Sequence, residues 1–194
     1  MSPEPLAAHH HAVQFYGSDQ ILMQTVAGFL AGGLIAGQPA VVIATPAHST
    51  AIFDELAHRL IDVNAAKRIG DLVFLDANAM LGRFMRNGMP DAGAFRHEVG
   101  GVISQTLAGR TTTALRAYGE MVDVLWKRGN EDAAITLEVL WNELSRTHPF
   151  ELLCGYSIGN FYKQTGSFER ICEQHTHVMT EGSVLPFERR VPQY

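Results

Sequence analysis

Lysine is almost missing from this sequence: Lys67, Lys127 and Lys163 are its only three in 194 residues. The formal charge is −5 and no basic run offsets it. That balance excludes a general attraction to nucleic acid or to an anionic membrane surface. Cysteine is equally scarce. Cys154 and Cys172 are too few for a disulfide framework and lack the spacing of a local metal motif, so both are expected as buried free thiols. Apolar runs stay well short of the ~20 residues that span a bilayer. The N-terminus lacks the charged and apolar regions of a signal peptide. A cytoplasmic protein without membrane association is the expectation. Repeats, linkers and low-complexity stretches are also missing, and the length suits one domain. Residues 1–10 are rich in Pro and Ala and expected to be flexible, residues 11–180 form the domain, and residues 181–194 are a tail without a strong pattern. The adjacent His9, His10 and His11 are expected to attract only adventitious metal.

What is present is an alternation of short apolar runs with amphipathic stretches. Val13–Tyr16 reads as a first strand, followed by a Gly17-Ser18-Asp19 turn and a helix from about Ile21 to Ile35. Ala40–Ala44 is apolar throughout, as in a strand covered on both faces. Thr45 and Pro46 suit the cap and first turn of a second helix. Asp71–Asp76, Thr112–Tyr118 and Phe150–Tyr156 read as further strands. Between them lie a short helix over Met80–Met85, stopped by Asn87-Gly88, and a helix capped by Asp91. Helices over Met121–Lys127 and about Glu131–Thr147 come next, and Ser167–His177 looks helical. This order predicts an α/β fold, a parallel sheet with helices on both faces. In such a nucleotide-type fold the turn after the first strand would cradle phosphate. Here it has one glycine, no lysine and an acidic Asp19, so the chemistry of the G-x-x-x-x-G-K-[ST] loop is lost.

Ligands of open α/β sheets bind beyond the carboxyl ends of the strands. That rule selects Tyr16, Ser18, Asp19, Thr45, His48, Asp76, Glu120 and Tyr156 as candidate ligand-binding residues. The set holds neither Lys nor Arg and suits a small neutral or cationic ligand, or a partner surface, better than a polyphosphate. Each residue also has a structural reading. Asp19 and Thr45 suit helix caps, Asp76 at a strand end suits an acceptor of backbone N–H bonds, Glu120 suits a helix dipole, and Phe15, Tyr16 and Trp141 suit the core. An acid–base pair of His48 with Asp76 or Glu120, a Ser18–His48–Asp76 triad and a metal site of His48, Asp76 and Glu120 all lack supporting motifs. No catalytic residue, metal or cofactor is therefore assigned.

Several segments in order carry a family resemblance: His11-Ala-Val-Gln-Phe-Tyr16, Gly33-Leu-Ile-Ala-Gly37, Ala44-Thr-Pro-Ala-His48 and Phe84-Met-Arg-Asn-Gly-Met-Pro-Asp91. Gly119-Glu-Met-Val-Asp123, Leu137-Glu-Val-Leu-Trp-Asn-Glu-Leu144, Leu153-Cys-Gly-Tyr156 and Ile171-Cys-Glu-Gln-His175 continue it. Over about residues 11–180 the chain resembles the MEDS domain (methanogen/methylotroph, DcmR sensory). The resemblance implies a RecA/KaiC-like P-loop fold whose Walker A motif is lost. It implies a sensory module for small hydrocarbon derivatives, coupled to histidine kinase or transcription-regulator pathways. With only a short tail after residue 180, the expected output is a separate signalling protein. Apolar helix faces would equally suit a homodimer seam. The competing expectation is a residual nucleotide-binding protein or ATPase of the RecA/KaiC type, which the missing phosphate-loop lysine disfavours.

Overall fold

The strands β1, β2, β3, β6 and β7, whose ranges follow, each lead into a helix. The computed structural model describes residues 10–112, 114–160, 165–180 and 183–186. Most of the expected flexible N-terminus and much of the tail lie outside the described residues.

Strand β1 (His11–Tyr16) leads through Gly17 and Ser18 into α1 (Asp19–Ile35). β2 (Ala40–Ala44) is buried at every position, as its continuous apolar run requires, and α2 (Pro46–His58) follows. α3 (Val63–Ile69) was not anticipated. It starts where the Asp62 carboxylate accepts the Ala65 N–H and ends on Gly70 in the left-handed region at φ 79°. β3 (Leu72–Asp76) runs into α4 (Ala77–Phe84). The expected stop at Asn87-Gly88 is a hairpin turn between β4 (Met85–Arg86) and β5 (Met89–Pro90). Asn87 and Gly88 both have positive φ, 51° and 82°, which a two-residue hairpin turn of this hand demands. α5 (Ala92–Leu107) starts at Asp91, whose carboxylate accepts the Ala94 N–H, as expected. β6 (Leu115–Gly119), α6 (Met121–Lys127), α7 (Glu131–Ser145) and β7 (Phe150–Ser157) complete the sequence-predicted set. The last expected helix is shorter than its pattern. α8 (Thr165–Cys172) gives way to β8 (His177–Thr180), and β9 (Ser183–Pro186), in the segment expected to lack pattern, returns antiparallel beside it.

The strands form one sheet in the order β3-β2-β6-β7-β1-β8-β9. The first six run parallel and β9 opposes them. This is the predicted parallel α/β architecture. One face packs Tyr16, Val42, Tyr118 and Leu153 against α1 and α2 through Leu22, Val26, Leu30, Ile52 and Leu56. The other packs Phe15, Ile43, Cys154 and Tyr156 against α4 to α8, with Phe84, Phe95 and Trp141 at its centre. Alternate residues of a strand face opposite sides, so neighbours in sequence such as Phe15 and Tyr16 enter different cores. Both cysteines are buried free thiols, as expected. No helix of the described residues is long and apolar enough to cross a membrane.

Candidate functional site

Glu120 joins the strand ends. It follows β6 and sits at the N-cap position of α6. Its own N–H donates to Ile43 O at 3.1 Å, which fixes it beside the end of β2. One carboxylate oxygen accepts the Thr45 N–H. The other lies 2.5 Å from His48 Nδ1 and accepts the Tyr118 hydroxyl at 3.2 Å. The side chains of Glu120 and His48 are only 4% and 13% exposed. Burial pushes the Glu120 carboxyl upward, but His48 and the Thr45 N–H outweigh it and leave it below its usual value. The Glu120 contact raises His48 above its usual value, against the effect of burial. Both shifts favour an ion pair. Asp19 stands at the exposed rim, with Oδ1 3.7 Å from His48 Nε2.

A second polar group continues along the same edge. The Tyr16 and His48 rings make a T-shaped pair, with centroids 6.4 Å apart. The Tyr16 hydroxyl donates to Asp123 Oδ2 at 3.0 Å. Asp123 also accepts the Ser157 N–H at 3.0 Å and pairs with Lys127 at 2.7 Å. Lys127 reaches the Tyr16 hydroxyl at 3.3 Å. Burial first, and then the Asp123 carboxylate, push the Tyr16 hydroxyl far above its usual range, so it stays a proton donor.

The structure therefore brings together Tyr16, Asp19, Thr45, His48 and Glu120, and corrects other expectations. Thr45 occupies the N-cap position of α2, but its side chain makes no cap bond; its backbone N–H and its hydroxyl serve Glu120 instead. Ser18, and not the expected Asp19, holds the N-cap position of α1, and it too makes no side-chain cap bond. Asp76 caps α4 through the Ala79 N–H at 2.7 Å, as its structural reading had it. The edge does hold a cation: Lys127 belongs to it. Asp123, Lys127 and Tyr118 were missed, although Asp123 and Lys127 are an i,i+4 pair on the helix after β6.

Tyr156 does not face this edge. It registers with Phe15, while Tyr16 registers with Ser157, so its ring enters the opposite core. There its hydroxyl donates to Glu138 Oε1 at 2.9 Å. Glu138 is fully buried and surrounded by polar groups. His11 Nε2 lies 3.2 Å from Oε2 and His175 Nε2 lies 3.5 Å from Oε1. Cys154 Sγ lies 3.5 Å from Oε2 and 3.4 Å from His11 Nε2. Burial would raise the Glu138 carboxyl, but His175, His11 and the Tyr156 hydroxyl outweigh it and hold it below its usual value. Burial, then the neighbouring His11, lower His175 to about 4. Burial and Glu138 push the Cys154 thiol well up. These four side chains are the group among the described residues with metal-ligand character, their donor atoms lying within 4.8 Å of one another. Sequence spacing could not reveal them: they come from β1, α7, β7 and the segment after α8.

A KaiC-like protein from the hyperthermophilic archaeon Pyrococcus horikoshii OT3 has a similar structure, with a TM-score of 0.59 and 14% identity, over 95% of this chain and 82% of that one. At that identity the likeness speaks for the RecA/KaiC-like fold alone. No curated protein sequence matches significantly. The family model of the methanogen/methylotroph, DcmR sensory domain matches residues 10–175. Strand order, a first loop without phosphate-binding chemistry and this match over most of the chain agree: the chain belongs to the MEDS family of sensory domains.

Proposed function

We propose that this sensory domain is non-catalytic and binds a small organic ligand at the strand-end edge formed by Tyr16, Ser18, Asp19, Thr45, His48 and Glu120, with Asp76 at the end of β3. Occupancy is passed to a separate signalling protein of the histidine kinase or transcription-regulator kind. The observation that carries this reading is the Glu120–His48 pair beside Asp19. Three carboxylates, Glu120, Asp19 and Asp123, converge where a nucleotide fold would place phosphate. The nearby Lys127 is already paired with Asp123. Such an edge repels a polyphosphate and accommodates a small neutral or cationic molecule beside Asp19 and His48. Signalling then requires that the ligand bind two arrangements of the edge unequally.

Calorimetric titration with ATP and Mg²⁺, followed by a thermal-shift screen of small alcohols, amines and halocarbons, tests the reading. The expected result is no heat with nucleotide and a stabilising small molecule whose effect is weakened in Asp19→Ala or His48→Ala. Stoichiometric ATP binding would favour the residual nucleotide-binding reading, to which the KaiC-like fold lends support. Sedimentation at two concentrations tests whether the apolar helix faces form a homodimer seam.

A further inference from the structure

The buried group beneath β1 and β7 has a donor set and a proton pattern that suit a metal better than a hydrogen-bonded network. Its proton positions follow from the surrounding bonds. His175 Nδ1 lies 2.7 Å from the Ile171 carbonyl, which can only accept, so Nδ1 carries the proton. Nε2 of a neutral ring is then a bare lone pair. It has no hydrogen-bond partner although it is fully buried, and it faces Glu138 Oε1 at 3.5 Å. The Asn142 amide nitrogen donates to Gln174 O at 2.9 Å, which turns Oδ1 toward His11. His11 Nδ1 therefore donates to Asn142 Oδ1 at 2.9 Å, and His11 Nε2 also aims inward. Two imidazoles are thus locked from outside with their second nitrogens converging on one carboxylate and one sulfur. Outer hydrogen bonds of this kind fix the tautomer of metal-bound histidines.

We infer that His11, Glu138, Cys154 and His175 form a closed tetrahedral site for a zinc-class divalent cation, built into the core of the domain. Distances support it. With zinc–ligand bonds of ~2.0–2.3 Å, the edges of a tetrahedron are roughly 3.3–3.8 Å. Glu138 Oε2 lies 3.2 Å from His11 Nε2 and 3.5 Å from Cys154 Sγ, His11 Nε2 lies 3.4 Å from Cys154 Sγ, His175 Nε2 stands 3.5 Å from the other carboxylate oxygen, and one donor atom from each of the four residues lies within 4.8 Å of the rest. Charge supports it as well. A carboxylate, a thiolate and two neutral imidazoles carry two negative charges, which one divalent cation cancels inside a dry core. On binding, the Cys154 S–H bond breaks, its electron pair forms the sulfur–metal bond and its proton leaves to solvent. Complete burial of the ligands leaves no open position for substrate, so the ion is structural. It ties β1, α7, β7 and the segment after α8 together, and its binding is coupled to folding.

The test uses the full chain, stripped with a chelator in urea and refolded with Co²⁺ as a spectroscopic stand-in for Zn²⁺. One equivalent should give the strong visible bands of a tetrahedral ion and a near-ultraviolet thiolate charge-transfer band, both erased by Zn²⁺. Cys154→Ser, a one-atom change, should remove the thiolate band, and His175→Ala should abolish tight binding. Asn142→Ala, which removes the outer bond to His11 and the bond to Gln174 O but none of the four ligands, should weaken affinity by about 10–100-fold. A His9→Ala/His10→Ala double variant should bind as the parent does. Folded parent protein without a tetrahedral spectrum, or a thiolate band that survives Cys154→Ser, overturns the inference. So does binding that disappears in the double variant, which would be the adventitious behaviour of a terminal histidine tract. If His175→Ala does not fold, Cys154→Ser and Asn142→Ala decide the matter.

Discussion

Replacing Glu120 with Gln removes one charge and leaves its shape in place. The Thr45 N–H can still find a carbonyl oxygen. The group facing His48 and Tyr118 becomes an amide, so His48 loses its counter-charge and the Tyr118 hydroxyl loses an acceptor. Stripping one partner from a fully buried ion pair costs about 3–5 kcal/mol. His48 is slightly exposed and can escape part of that cost by releasing its proton, so about 2 kcal/mol is expected, with each unit of pKa shift equivalent to about 1.4 kcal/mol. The sign follows from the two shifts. His48 is raised, so its contribution is complete below its unfolded value of 6.5 and fades as pH rises through the folded value. Glu120 is lowered, so its contribution is complete above 4.5 and fades as pH falls through the folded value. The difference between parent and variant should therefore be greatest between these unfolded values and shrink on both sides. Asp19, Tyr118 and Lys127 also face the pair but are common to both proteins, and the other buried acids and histidines cancel in the difference. Urea unfolding followed by the fluorescence of the buried Trp126 and Trp141 across this range measures it. A difference that does not vary with pH, or one that grows toward alkaline pH, refutes the ion-pair assignment.

Three other substitutions separate neighbouring effects. A Cβ on Gly155 would lie 3.0 Å from the Tyr118 hydroxyl and 3.4 Å from Leu22 Cδ1; Gly155→Ala should cost about 1–3 kcal/mol through overpacking, measured as a lower urea midpoint. Asp91→Ala should cost about 1 kcal/mol, because its carboxylate caps α5 at the Ala94 N–H. Thr45→Ala, at a similar position on α2, should cost less, since that side chain makes no cap bond and only its hydroxyl's contact with Glu120 is lost; equal losses in the two melting curves would contradict the assignment of the caps.

The sheet and most of its helices were legible because their signals are local. Ala40–Ala44 announces a doubly covered strand, and Asp91 announces a helix start. The misses have physical causes. Asn87-Gly88 was read as a helix stop because β4 and β5 are only two residues each, too short to show alternation. The helical pattern of Ser167–His177 hid a strand start at His177, since β8 forms by pairing with β1 and not by its own propensity. At the site, the strand-end rule found Glu120 and His48 but could not assign faces, and one residue of register sent Tyr156 to the other core. The His11–Glu138–Cys154–His175 group was invisible because no two of its members are close enough in sequence to form a motif.

The order of strands also sets the order in which the chain can be completed. β1 is the first strand made, yet both its neighbours, β7 and β8, come from the far end of the sequence. His11 and Thr176 then close on each other through paired backbone and hydroxyl bonds across 165 positions. During synthesis β1 and the face it shares with Phe15 stay uncovered until residue 157 has emerged. Contacts this distant in sequence slow folding, and an unpaired apolar strand is a template for association with other chains. For this domain the period of greatest exposure to misassembly falls between the emergence of β1 and the arrival of β7.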